Sequence, residues 1–366
     1  MDASVPNIIF DEKVDSVIYK FANINSYNGD LTTLRHLPTS LGGLGISSMK
    51  VTSPIAYKTS FTLAIQALYK NDNDLYNIIN QNNIFESTIE SLQISQHKAM
   101  RLIDEELYQN FISSLENNQS KALLRGFSGS YISSWMDCGF QNLDCFMLSQ
   151  EEFTECLRIR LLIPTFTHRS PTQCFLRECR KCNITNDPFH AITCKGNAQY
   201  TKDRHDLIKK LLIVLIKKCR PYATVLQEQT VGQRSNGTSA ITDILISEGS
   251  SFSHLDVTIK SPTSDQALSK GSHSCQYIAA SLGEEIKIKS YSTLPPTVSN
   301  SLIPFSLECT GLLGREAKKF LGGLKAPEDC PAAISYFRMN VSRILAKTQA
   351  IMMIHTRRKG VDYSFY

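Results

Sequence analysis

The sequence lacks any long apolar run. Its longest aliphatic stretch, Leu211 to Ile216, is bracketed by Lys209-Lys210 and Lys217-Lys218. A membrane-spanning helix needs about 20 predominantly apolar residues, so none is expected and the run reads as a buried helix. Also missing from the start, MDASVPNIIFDEK, is the basic region and apolar stretch of a secretory signal, and the reading is of an intracellular protein. No internal repeat is apparent. The composition is not that of a disordered chain either, with 42% hydrophobic and 20% charged residues, which is ordinary globular usage. At 366 residues the chain exceeds one compact core, and a size of about 100–200 residues per domain predicts two or three.

The overall charge excess is small, +5, but its distribution is uneven. Residues 1–157 hold 10 basic against 18 acidic side chains, residues 158–220 hold 14 against 4, and residues 221–366 hold 15 against 12. A block of this kind is the electrostatic footprint of a surface that meets phosphates, because each neutralised phosphate releases a condensed counterion. Eleven cysteines is an odd count, and four of them crowd between Cys174 and Cys194. That pattern predicts reduced thiols and a metal site in place of a disulfide scaffold.

Along the chain, SLGGLGI (Ser40 to Ile46) marks a tight turn or a close backbone approach. A helix is predicted from Pro54 to Tyr69, patchy helical patterning over 84–160, and a helix over 202–219. After Pro221 the pattern changes to short apolar runs separated by turns, ATVLQEQTV, AITDILI and SHLDVTI, which read as strands of a sheet. A helix around Gln276–Tyr291, an extended segment near Leu302–Leu307 and helices at 313–324 and 331–351 complete an α/β pattern.

Local chemistry is densest in ECRKCNITNDPFHAITC, which spaces Cys179-x2-Cys182-x7-His190-x3-Cys194. A Cys pair on a two-residue spacer clasps one face of a metal, and the His/Cys pair closes the tetrahedron. Four protein ligands leave no open position for water, so the predicted zinc is structural, worth on the order of 10–16 kcal/mol of folding free energy. Cys174 is the alternative ligand, with a spacing that suits less well. Arg169, Arg177, Arg180, Lys181 and Lys195 surround the motif, and Phe175 and Phe189 are candidates to stack on bases.

Downstream, Asp243 and Asp256 sit on consecutive strand-like runs thirteen residues apart, the length of one hairpin. Two hard oxygen ligands of this kind hold Mg²⁺ or Mn²⁺, which activates water and stabilises a leaving oxygen. Lys260, Lys287 and Lys289 are candidates to stabilise charge on a phosphate, and Glu228 is a candidate third acid.

These pieces stand in an order that resembles the C-terminal region of non-LTR, LINE-type retrotransposon proteins. SLGGLGISSMKVTSPIAYKTSF resembles the stretch that follows the polymerase palm in that family, read there as thumb. FTECLRIRLLIP (Phe153 to Pro164) resembles the short helix before the family's zinc knuckle, and TKDRHDLIKKLL, with Arg204 and His205, its "RH" helix start. The Asp243/Asp256 segment is similar to its "RPD … DVTV" nuclease core, EEIKIKSY (Glu284 to Tyr291) to its "K … KY" helix, and IPFSLECTGLLG (Ile303 to Gly314) to its "PF-x-x-E-x-x-G" strand.

The resemblance implies an α+β or α/β protein in three parts. These are a helical, thumb-like region over 1–165, a CCHC zinc knuckle over 166–200 and a restriction-endonuclease-like domain over 201–366 with a mixed sheet flanked by helices. It implies metal-dependent nicking of double-stranded DNA in the nucleus to prime reverse transcription, with DNA and element RNA as partners. Asp243 and Asp256 carry over as the metal-binding carboxylates, and the catalytic lysine to Lys287 or Lys289, Lys289 being nearer the tyrosine. Arg177, Arg180, Lys181 and Lys195, from the flanks of the knuckle, and Arg204 and His205 are the candidate nucleic-acid contacts. Thr242 stands where the family has proline, and V-T-I-K follows Asp256 where the family has one residue and then lysine. No "F/Y-x-D-D" polymerase motif is present, so polymerase activity in this chain is not expected. The alternative that these departures leave is a catalytically inactive, zinc-containing nucleic-acid-binding remnant.

Overall fold

The computed structural model describes residues 4–24, 31–71, 95–136, 147–165, 174, 176, 178–179, 187–234, 237–324 and 330–362. The chain divides into two compact units, one of residues 1–38 with 43–114 and one of residues 39–42 with 115–366. The Cys/His segment and the strands thus share a unit with residues 115–165, in a division that differs from the sequence-based boundaries at 165 and 200.

The first unit is helical, with α1 (Ser4–Phe21), α2 (Leu31–His36), α3 (Met49–Asn71) and α4 (Gln96–Ser114). Helix α3 begins ahead of Pro54, where the sequence pattern placed its start. The reason is a cap from another helix: the Asp11 carboxylate of α1 accepts the Met49 N–H (3.0 Å), the Lys50 N–H (3.3 Å) and the Ser48 hydroxyl (2.6 Å). Orphan N–H donors at a helix start need such an acceptor, and this one lies 38 residues upstream of Met49. Arg35, 1% exposed, pairs with Asp15 at 2.7 Å. Gly43 fulfils the close-approach reading, since a Cβ there would strike the Leu37 carbonyl.

The second unit is mixed α/β. Helices α5 (Asn118–Phe127), α6 (Gln150–Arg160), α7 (His190–Thr193) and α8 (Ala198–Cys219) precede a four-stranded sheet. Its strands are β1 (Thr224–Gln233), β2 (Ser239–Glu248), β3 (Ser251–Lys260) and β4 (Leu302–Glu308), in that spatial order. The first two pairings are antiparallel and β3 with β4 is parallel. The parallel pair requires a crossover, supplied by α9 (Asp265–Ser269), α10 (Ile278–Tyr291) and α11 (Pro296–Ser299). After β4 come α12 (Arg315–Gly322) and the long α13 (Cys330–Asp362).

Strand β2 alternates buried and more open positions, whereas β3 is buried at four consecutive residues, His254 to Val257. That run marks a central strand covered on both faces. On one face Ile244, Ile246, Leu255, Val257, Phe305 and Leu307 pack against α8, α12 and α13, with Phe305 edge-on to Phe320 and Phe337. On the other lies α10, and at Gly283 it approaches the strands so closely that a Cβ would meet Ser306 and Thr258. Asp256 falls in this doubly covered stretch and is 4% exposed.

Helix α13 runs eleven residues past the predicted end at 351. Its extension is held by tertiary contacts: Thr165 donates to the Met353 sulfur (3.1 Å), Asn197 to Thr356 (3.0 Å), and Arg357 forks onto Glu155 at 2.5 Å on both arms. Cys219, ending α8, and Cys330, starting α13, form a disulfide with Cα atoms 5.4 Å apart. This single pair departs from the expectation of reduced thiols, while Cys174, Cys179 and Cys194 remain free. Among the described residues no helix is long and apolar enough to cross a membrane.

Candidate functional site

Two clusters of reactive side chains lie in the second unit. In the first, Cys174, Cys179, His190 and Cys194 bring their ligand atoms within 4.8 Å of one another. The Cys174 and Cys194 sulfurs are 3.5 Å apart, and the Cys179 sulfur is 3.2 Å from His190 Nε2. A zinc tetrahedron with Zn–S about 2.3 Å and Zn–N about 2.0 Å has edges of roughly 3.5 Å, so the Cys3His set can hold a metal such as zinc. The other imidazole nitrogen, Nδ1, is 3.1 Å from Asp187 Oδ2, and Gln119 donates to Asp187 Oδ1 at 2.7 Å. This carboxylate selects the tautomer that leaves Nε2 free to ligate.

Without a cation the cluster shares protons unevenly. The hydrogen bond with Cys194 brings the Cys174 thiol down to about 4. Burial opposes charge on His190, but its bonds to Asp187, Cys174 and Cys179 outweigh that and raise it to about 10. Crowded thiols with one proton-depleted member are the chemistry of a cation site.

Cys174, which the spacing argument had ranked second, is thus a member of the described set. Cys182 lies outside the described residues, as do Arg169, Arg177, Arg180, Lys181 and Phe175. Lys195 is exposed. Phe189 is fully buried, which corrects its reading as a base-stacking ring.

The second cluster forms where β2 and β3 part. Their backbone pairing ends at Ile244 and Leu255, and beyond it the side chains of β2 take over. Thr242 donates its hydroxyl to the Leu255 carbonyl (3.0 Å), and the Asp243 carboxylate accepts the Val257 N–H (2.7 Å). His205 Nε2, from α8, stands 3.2 Å from the same Asp243 oxygen. Asp256 is met from α10 by Lys287, Nζ to Oδ1 at 2.5 Å.

Environment splits the two acids. For Asp243, burial is outweighed by the His205 hydrogen bond and charge and by the Val257 N–H, so its pKa falls. For Asp256, burial together with the Asp243 charge prevails over the pull of Lys287, so its pKa rises. Tyr291, 1% exposed, bonds the Ile241 carbonyl at 3.3 Å and is pushed up by burial and by the charge of Asp256. A pair of carboxylates with separated pKa values beside a lysine is a recognised arrangement for acid–base and cation chemistry.

The structure brings Lys287, and not Lys289, to the carboxylates; Lys289 is exposed and Lys260 half-buried at the end of β3. The helical signal was available, because Lys287 and Tyr291 are four residues apart and share a face while Lys289 does not. Glu228 turns away from the pair to meet Lys209 at 2.6 Å, its side chain 67% exposed. Arg204 is 3% exposed, which turns its guanidinium inward and corrects its reading as a phosphate contact. His205, read as a nucleic-acid contact, belongs to the carboxylate cluster.

Fold and clusters together define a class: a mixed α/β unit with a Cys3His centre and a separate acid–lysine site built on the edge of strand pairing. Compared with family models and with curated proteins, the chain matches none.

Proposed function

We propose that the second unit is a restriction-endonuclease-like, metal-dependent DNA phosphodiesterase of retrotransposon origin, nicking double-stranded DNA in the nucleus, with zinc in the Cys3His centre. The observation that carries the reading is the convergence of Asp243, Asp256 and Lys287 from three elements on one point. Asp243 and Asp256 would hold Mg²⁺ or Mn²⁺, which when bound supplies an activated water and neutralises the leaving oxygen. Lys287, released from Asp256, is placed to offset charge on the phosphate. His205 keeps Asp243 ionised at neutral pH.

The order of sequence segments supports the family assignment, and the four-stranded mixed sheet flanked by helices agrees with a nuclease core. Nicking of supercoiled plasmid by the purified chain with Mg²⁺ or Mn²⁺ tests the reading. The expected result is conversion to open circle that Asp256→Ala and Lys287→Ala both lose while retaining native circular dichroism. Activity undiminished in both variants would sink it.

A second reading, nucleic-acid binding without turnover, is favoured by one observation: one Asp243 oxygen is already committed to a backbone N–H and His205. DNA retention without nicking by the unaltered chain would select that reading.

A further inference from the structure

A cavity of about 410 Å³ opens elsewhere in the second unit. It is bounded by the loop after α5 (Gly129, Ser130, Ile132), by Tyr277 ahead of α10, by the turn after β4 (Gly311–Leu313) and by α12 and α13. Its size is that of sites for small ligands. Two cations enter its wall. Lys318 Nζ lies 3.6 Å from the centre of the Tyr277 ring, and the Arg338 guanidinium lies 4.3 Å over the Tyr131 ring.

Both tyrosines adopt left-handed backbone conformations, φ 66° at Tyr131 and 67° at Tyr277. Non-glycine residues rarely do so, and such strain collects at ligand sites. Here it sets each ring beneath a cation. Arg338 spends one nitrogen on Ser130 (3.3 Å), and Tyr131 is fixed by Ser335 (3.0 Å). Among the described residues neither Lys318 nor Arg338 forms an ion pair. Glu308, the acid that feels Lys318, is instead held by the Ala279 and Ala280 N–H groups and by Thr310 at 3.3 Å.

The remaining wall is apolar, with Leu312, Leu313, Leu321 and Ile334. A bare anion would leave that wall wet, and a wholly apolar ligand would leave two unpaired cations desolvated. We propose that this cavity binds a phosphorylated nucleoside, free or as the phosphate-bearing end of a strand. Lys318 and Arg338 take the phosphate through charge-assisted hydrogen bonds, and Tyr277 and the leucines that line the cavity take the base. The inference does not rest on the nuclease reading. Lys287 is ten residues along from Tyr277, about 15 Å down α10 at 1.5 Å per residue, so the cavity and the carboxylates are different sites.

Calorimetric titration of the whole chain, with no divalent metal added, tests this. Adenosine monophosphate and hexathymidylate with a terminal phosphate are the probes; adenosine, inorganic phosphate and unphosphorylated hexathymidylate are the controls. Saturation by either probe at least about tenfold tighter than by its controls is expected, and Lys318→Gln and Arg338→Gln should each weaken it about tenfold. Gly322→Leu supplies an independent check, since a Cβ there meets no atom within 4 Å; it should fill the cavity and abolish binding without unfolding the chain. Saturation by the phosphorylated hexamer alone identifies a strand end, and saturation by the mononucleotide a free nucleotide. Failure of both probes to bind better than their controls overturns the proposal, as does affinity unchanged in all three folded variants.

Discussion

Lys287 and Lys289 differ in what they can reach, although only one residue separates them. Lys287 sits on the α10 face that meets Asp256, whereas Lys289 points to solvent. On the proposed nuclease reading, alanine at 287 should therefore abolish plasmid nicking while alanine at 289 leaves it within a few-fold, a contrast read directly from initial rates. At the other cluster, which can hold zinc, Cys174→Ser should lower the zinc content per chain, measured by elemental analysis. Retention of a full equivalent would return the ligand role to another cysteine. The carboxylates were legible in the sequence because strand alternation and hairpin length place them together. Lys287 was legible only in part, because a lysine's partner depends on helix phase against a particular strand. Cys174 was not, since ligand spacing constrains a tight turn but not a loop that returns from further away.

At the scale of elements, two buried glutamates tie helix starts to their neighbours. Glu308 at the end of β4 receives the Ala279 and Ala280 N–H groups of α10, and Glu284 on α10 receives the Glu316 N–H of α12 at 2.9 Å. Burial lifts Glu308 from its ordinary 4.5 to about 7, against the backbone bonds. A carboxyl whose folded pKa is raised stabilises the fold fully below its unfolded value, and that contribution is lost as pH rises through the folded one. Glu308→Gln keeps the neutral form at every pH. Relative to the variant, the native chain should lose about 1–3 kcal/mol of stability between pH 5 and pH 8, measured by urea denaturation at both. The four strands and the helices α8, α10 and α12 of the second unit were legible to within a few residues, whereas the short helices α7, α9 and α11 carried no separate signal. The start of α3 and the far end of α13 were not, since a distant Asp11 caps one and contacts to Thr165, Asn197 and Glu155 sustain the other.

For the whole molecule, the basic block presents less charge outward than its composition suggests. Arg158, Arg160, Arg204 and Lys209 are buried, while Lys195, Lys202, Lys210, Lys217 and Lys218 are exposed. If these five lysines carry DNA binding, the slope of log affinity against log salt should be about −4 to −5, at about −0.9 per phosphate neutralised. Fluorescence anisotropy over a salt series measures it, and a slope near zero would remove nucleic acid from the account. Chelation should act at the same scale. The Cys3His centre reaches α5 through the Gln119–Asp187–His190 chain of bonds, and Asn197 beyond it bonds Thr356 of α13. Loss of the metal is therefore expected to lower the melting temperature of the second unit as a whole, followed by calorimetry, beyond any loosening of residues near the ligands.

The way Asp243 bridges the parting strands bears on how such a chain ages. Its carboxylate stands in for a missing rung of the ladder, so the fold keeps a use for this acid whether or not any bond is ever cut. Asp256 has the opposite standing: it is buried beside Lys287 and the Asp243 carboxylate, and burial raises its pKa, so its ionised form is disfavoured in the folded chain. In a lineage released from selection for cutting, Asp256 and Lys287 would drift first while Asp243 persisted. On the proposed nuclease reading, the presence of all three in one chain is thus more informative than the presence of Asp243, and a sibling sequence that retains Asp243 alone would keep the strand bridge without the cutting site.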